Sequence, residues 1–559
     1  MHKSKTAVRK AHFLLASMTS LVIAGCGGSS GSQEPAPPTT VGQLKVSTTT
    51  PGDASNSANR NGPIEVVFDR ELNPSTISSE KVVLQNPIGS IAANVTVAGN
   101  KLTLTLPQRL ARGATYSIDA VGLQGKSGET LSGTRLLSFT TTTEREWSVP
   151  LQIDATGNSS KPHISFDSNG NAVAAWRQND GANGAIYFNK YTRGLGWSSP
   201  GALQVASGDV GYIQLAHIDD NHVLAVWPRF DACCFGIYSS QYTVGGGWDT
   251  PQRIYEGMRV FGEFNVSDPI SVSTDQAGKA FVVWSDFTGM NTTARSRIYT
   301  LSGGWGPLTT VDSFQSYMDR ANVSMNKRGQ AFATYTTTNL PYGDSGTKVR
   351  AKQYTQDGKW ATVLLFSTEF IEARFPRVAT DDAGNATFVW LQSDATAKSI
   401  HAHRFSATGP LDTDTVLSND SGDALPPKLV VDSAGNVSVV WGQNIDGKVQ
   451  LYTNRYSIGG WQTAQAIAAD IKYSGTDSPQ IATDKDGNVL VVWLQSDDSK
   501  INVYSRRFVP AQGWEEAKIQ STTGNASNPQ IVFSSPGDAM IVWESHEGTA
   551  SKILVTAFD

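Results

Sequence analysis

The sequence predicts an all-β protein, a small N-terminal β-sandwich followed by an eight-bladed β-propeller. Three observations carry this. The 559-residue chain holds 52 Gly, 14 Trp and 16 Tyr at 39% hydrophobic and 17% charged residues, a balance that suits a folded chain of strands and tight turns. A motif ending in an aromatic anchor recurs, at Trp176, Trp227, Trp284, Tyr335, Trp390, Trp441, Trp493 and Trp543. The mean spacing of about 52 residues is the period of a propeller or solenoid. Finally, the two ends of the array complement each other. "EWSVPLQI" (Glu146 to Ile153) reads as a fourth strand without its first three, and "KILVTAFD" (Lys552 to Asp559) as a third strand without its fourth. A propeller whose last blade takes its missing strand from the start of the array needs this, and it removes exposed sheet edges. Seven blades would follow if the copy around Tyr335 formed none.

The first 25 residues read as an address. Lys3, Lys5, Arg9 and Lys10 make a basic stretch, "FLLASMTSLVIAG" (Phe13 to Gly25) is apolar but short for a membrane span, and small residues precede Cys26. This resembles the lipobox of bacterial lipoproteins, which implies cleavage before Cys26, acylation of its sulfur and a membrane anchor through lipid. Each buried methylene adds about 0.8 kcal/mol to such an anchor. Removing residues 1–25 takes four positive charges and turns the chain's −5 into −9. Gly27 follows where lipoproteins held at the inner membrane carry Asp, so the resemblance implies the outer membrane, at its surface or periplasmic face. Residues 26–41, with "GGSSGSQEPAPPTT", form a flexible-to-stiff tether.

Residues 42–143 alternate polar and apolar residues in short runs such as "IEVVFD" (Ile64 to Asp69) and "LLSFTTTT" (Leu136 to Thr143). Ala98-Gly99-Asn100-Lys101 reads as the turn of a hairpin. Together these predict a sandwich of roughly a hundred residues. "TTTPGDASN", "IEVVFDRELNPSTI" and "NKLTLTLPQRLARGATYSIDAVGLQGKSGETL" resemble the SbsA-type bacterial Ig-like domain, which implies a non-catalytic spacer or adhesion module.

Residues 144–559 hold the array. Each unit reads as a first strand such as "PQIATD", a Gly-Asn turn, a core strand ending in the anchor, a third strand, and a Gly-Trp turn into the fourth. Four antiparallel strands make one blade. The turn "DKDGN" (Asp484 to Asn488) invites comparison with a calcium loop. However, strand residues Val489 to Val492 occupy the positions where further ligands would sit. Asp and Asn that bond their own backbone, with Gly at positive φ, are the chemistry of a hairpin turn. The same stretch loosely resembles the Asp-box of sialidases, but the tryptophan lies too far from the glycine and the sialidase catalytic set is missing.

No catalytic constellation, phosphate loop, cofactor motif or metal spacing emerges; His401-x-His403 lacks a third ligand. The charge of −5 offers no basic face for nucleic acid. Cys233-Cys234 is a candidate vicinal disulfide, a feature that lines some ligand pockets, including those of quinone-dependent dehydrogenase propellers, whose tryptophan-docking repeats are missing here. The candidate ligand face gathers the 2–3 and 4–1 connections around the channel. It offers Arg259, Phe261, Phe264, Tyr317, Arg320, Glu372, Arg374 and Tyr473, a mixture of aromatic and charged groups suited to glycan or peptide. Gln178, Gln392, Gln443 and Gln495 recur two residues after an anchor, near that face. The expectation is a lipid-anchored envelope protein that binds a glycan or protein ligand without catalysis. A structural envelope component and a sialidase-like glycoside hydrolase or lyase are the alternatives.

Overall fold

The computed structural model describes residues 42–559, apart from 156–157, 180–183, 205–208, 231–233, 259–269, 289–290, 315, 340–346, 367–371, 394–396, 420, 472–478 and 535–536. Among the described residues there is no α-helix; one 3₁₀ turn, Pro74–Thr76, interrupts the strands.

The N-terminal domain is two four-stranded sheets face to face. One carries Val46–Thr50, Ile64–Phe68, Lys101–Thr105 and Asn94–Ala98; the other carries Arg135–Thr140, Thr115–Ala120, Val82–Asn86 and Gly89–Ile91. Alternation does the work: Ile64, Val66 and Phe68 point inward, as do Leu102, Leu104, Tyr116, Ile118, Leu137 and Phe139. Gly99, at φ +61°, turns the hairpin that joins Ala98 to Lys101.

The rest of the chain folds into eight antiparallel sheets in sequence order. The first runs Ser159–Phe166, Ala172–Asn179, Gly184–Thr192 and then the short pieces Gly196–Trp197 and Gly201–Gln204. The eighth runs Asn525–Phe533, Ala539–Glu547 and Ala550–Phe558, and its last strand pairs with Leu151–Gln152 through Val555 and Leu554. The second strand of each sheet is buried on both faces, so consecutive residues serve different interfaces. In the seventh sheet Val489, Val491 and Trp493 pack on the sixth, whereas Leu490, Val492 and Leu494 pack on the eighth. The eighth in turn packs on the first, with Met540 and Val542 against Ile164, Ala174 and Trp176.

The anchors are the largest buried side chains of the array, Tyr335 with the seven tryptophans. Burial pushes the Tyr335 phenol pKa up, and its bond to the Asp312 carboxylate pushes it further. The recurring glutamines turn out to serve the anchors. The indole N–H of Trp176, Trp390, Trp441 and Trp493 donates to the side-chain carbonyl of Gln178, Gln392, Gln443 and Gln495, at 3.2, 3.0, 3.2 and 3.0 Å. Residues two apart on a strand share a face, so a residue pair in sequence becomes a satisfied buried donor. The Gly-Trp turns set a second aromatic layer, with Tyr299 and Trp305 ring centroids 5.1 Å apart and Phe508 and Trp514 5.4 Å apart.

Candidate functional site: an axial channel

The first strands of the eight sheets stand side by side around a cavity of ≈ 240 Å³. Side chains stitch neighbouring first strands: the Leu215 amide donates to His163 Nδ1 (3.2 Å), the Val323 amide to Ser271 Oγ (3.1 Å), and the Thr380 amide to Ser324 Oγ (3.0 Å). Seven of these strands place one residue directly opposite the one before the anchor, namely Gln214, Asn322, Arg377, Lys428, Gln480, Gln530 and, in the first sheet, His163. Ser271 holds the same register in the third sheet. All eight line the cavity.

This ring is polar and carries positive charge. Arg377 and Lys428 come from adjacent sheets, and Lys161 adds a third cation; no carboxylate is among the lining residues. The Arg377 guanidinium donates to Asn322 Oδ1 at 2.6 Å, and the Lys161 ammonium sits 3.8 Å over the Tyr212 ring. His163 accepts at Nδ1, and burial pushes its pKa down to about 4, so it contributes a neutral imidazole. Glu544, buried behind this wall, accepts from the Lys161 amide (3.2 Å) and from Asn528 Nδ2 (2.8 Å).

Local backbone explains how these groups reach the channel. The first strand bulges in the first, fourth, fifth and eighth sheets, with register shifts between Ser160 and His163, Asp319 and Asn322, Arg374 and Arg377, and Ser527 and Gln530. At three of them a residue before proline takes a left-handed conformation: Lys161 (φ 56°), Phe375 (φ 54°) and Asn528 (φ 49°). Both the side chain and the following proline disfavour that region.

At the other end of the first strands the recurring turns gather Asp381, Asp382, Asp432 and Asp484 around a second cavity of ≈ 300 Å³. Asp381, Asp432 and Asp484 hold their hairpins, while Asp382 pairs with Lys327 at 3.3 Å. Asp484 Oδ1 accepts from the amides of Asp486 and Asn488 (2.9 Å each) and Oδ2 from Asn488 Nδ2 (2.7 Å). Asp167 and Asp432 repeat the arrangement. Among the described residues no group of three or more His, Cys, Asp or Glu is placed to hold a metal.

Of the residues singled out from sequence, Glu372 and Arg374 open the first strand of the fifth sheet, half-exposed and ion-paired with each other. Tyr317 and Arg320 have their backbone in the strand Ser316–Met325, and Cys234 begins Cys234–Thr243. Cys26, Cys233, Arg259, Phe261, Phe264 and Tyr473 lie outside the described residues. His401 pairs with Asp414 (2.9 Å) and stacks on Trp390, and His403 Nε2 lies 4.0 Å from Asp412. The channel ring was missed because its members differ in type. The signal was positional, a polar residue directly after proline in the first strand, at its start or past its bulge: Pro162-His163, Pro376-Arg377, Pro427-Lys428, Pro479-Gln480 and Pro529-Gln530.

Residues 40–141 match the family model of the bacterial Ig-like domain. No curated protein matches the chain. Solved structures similar to it include a prolyl endopeptidase (12% identity, TM-score 0.40), which covers 70% of this chain while the chain spans only 55% of that protein's length. A PL25 ulvan lyase follows at 10% identity and TM-score 0.41, covering 72% of this chain and 95% of the lyase. The six-bladed β-propeller lectin of Aleuria aurantia is 15% identical with a TM-score of 0.32, over 54% of this chain and 92% of the lectin. The chain carries a bacterial Ig-like domain followed by an all-β array, and the structures similar to it include two β-propellers.

Proposed function

We propose that residues 144–559 form an eight-bladed propeller, closed where Leu151–Gln152 joins the strand Ala550–Phe558, and that it is a non-catalytic binding module for a glycan or protein ligand. The observation that carries this is the axial ring. One polar group from each sheet converges on a single cavity, with Arg377 and Lys428 side by side. Convergent polar groups lining a concavity are the usual make-up of a ligand site. The basic and apolar stretches before Cys26 support display from the bacterial envelope through a lipid anchor, in keeping with the Ig-like domain that follows.

The test is retention of the purified chain on glycan and envelope-protein arrays, with turnover of polysaccharides assayed alongside. Binding without turnover, weakened by Arg377→Gln, is the expected result. Turnover lost with one carboxylate would replace this reading with a hydrolase or lyase. Neither binding nor turnover would leave a structural envelope role. For the address, Cys26→Ser should move the protein from the membrane to the soluble fraction; unchanged membrane association would overturn the lipid anchor.

A further inference from the structure

We infer that the axial channel takes the acidic end of an oligosaccharide, a terminal uronate-type sugar whose carboxylate enters between Arg377, Lys428 and Lys161. This rests on the binding-module reading above and adds to it the charge and size of the ligand.

Three independent features of the channel agree. The first is charge: the lining carries three cations and no carboxylate, against the single Glu544 carboxylate buried behind it, and a low-dielectric wall with an excess of positive charge focuses the field on an incoming anion. Arg377 presents a planar fork that matches a carboxylate, and Asn322 already orients it at 2.6 Å. The Tyr212 ring holds the Lys161 ammonium in place at 3.8 Å. The second is strain. Lys161 and Asn528 flank the same mouth from adjacent sheets, each at positive φ before a proline, and such outliers persist where a site needs a side chain in one place. The third is the amide wall. Gln480 and Asn528 each carry a donor and an acceptor, the pairing that sugar hydroxyls require and an acidic peptide's carboxylates do not. At ≈ 240 Å³ the cavity falls below the usual range of about 300–1,000 Å³ for small-molecule sites, so it admits one terminal sugar and leaves the chain outside.

The experiment is calorimetric titration of the full chain with an oligogalacturonate, with a neutral galactan oligomer of equal length, and with a short polyglutamate, each at low and high salt. The expected result is that the oligogalacturonate binds tightest, weakens as salt rises, and loses at least tenfold in affinity in Arg377→Gln and in Lys428→Gln, while Arg377→Lys loses less. Circular dichroism checks the folding of each variant; should one unfold, the wild-type preference and salt dependence still decide. Equal binding of the neutral oligomer, tighter binding of polyglutamate, or indifference to both substitutions would overturn the inference while the binding-module reading stood. If nothing on the arrays is retained either, both fall together.

Discussion

Arg60 of the Ig-like domain and Asp559, which follows the last strand of the eighth sheet, form an ion pair at 2.9 Å with the arginine side chain wholly buried. The same guanidinium donates to the Asp559 carbonyl (2.6 Å) and to the Leu110 carbonyl (2.8 Å). Arg109 joins the same carboxylate, and its pKa falls to about 10 through burial first and repulsion from Arg60 second. Nearby, Asp538 receives Arg112 (3.0 Å), Arg145 (3.4 Å) and Arg193 (3.2 Å), one from the domain, one from the connector and one from the first sheet. The two parts of the chain are thus joined through ion pairs that run from the buried Arg60 to the half-exposed Arg145 and Arg193.

Arg60→Ala leaves the Asp559 carboxylate with a lone buried neighbour and should cost about 3–5 kcal/mol, the range for breaking one side of a buried pair. Arg60→Met, which keeps volume, should cost less. Denaturant unfolding followed by tryptophan fluorescence reads both. Since the array holds all 14 tryptophans, a loss below about 1 kcal/mol would mean that the junction adds little to the array's stability.

Asp484→Ala removes the acceptor for two amides and the Asn488 side chain. Leaving such groups unpaired costs about 1–3 kcal/mol. Calcium should leave the melting temperature of the wild type unchanged, and a calcium-dependent rise abolished by this substitution would return the turn to the class of metal loops.

Gln443→Leu tests the recurring glutamine. Its side chain is fully buried, accepts from Trp441 and donates to the carbonyls of Asn419 (2.9 Å) and Gly422 (3.0 Å). The leucine variant should lose about 1–3 kcal/mol of stability with ligand retention unaltered in the fraction that folds. Lost retention at full stability would make the glutamine a ligand contact.

His217 sets a pH dependence. Burial pushes its pKa down to about 4, against the opposing pull of Asp220 and Asp219, and its Nδ1 lies 2.7 Å from Ser165 Oγ. The unfolded chain takes up a proton below about pH 6.5 that the native one refuses. Stability should therefore fall as pH drops from about 6.5 to 4, by about 3 kcal/mol for this group, and level off below. His217→Gln should make that limb shallower and leave the share of His163, which burial also pushes down to about 4; an unchanged slope would assign the acid sensitivity elsewhere.

How much of this was legible in the sequence depended on whether a residue's role repeats. Trp493 and Asp484 recur with their neighbours, because every sheet needs a buried anchor and a tight turn, and repetition made them readable. Gln495 also repeats, but its purpose is a bond to an indole two residues back, which looks on paper like decoration of a nearby face. The channel ring is harder still. His163, Ser271 and Lys428 share a register but no chemistry, since the axis constrains where a side chain points and not what it is. Glu372 and Arg374 drew attention as opposite charges beside a loop, and in the structure they engage each other.

The junction has a consequence for orientation. The Ig-like domain meets the first sheet at its third-to-fourth turn, where Asn86 and Gln108 bond the Gly194 and Leu195 carbonyls, and the eighth at its first-to-second turn, through Asp538. In an up-and-down array these two kinds of turn share one rim, and the first strands start from the other, with Lys161 and Lys428 among their opening residues and Arg377 past the bulge in mid-strand. The small domain thus sits against the rim opposite the one from which the first strands start. Lys161 and Lys428 therefore lie toward the rim that faces away from the small domain.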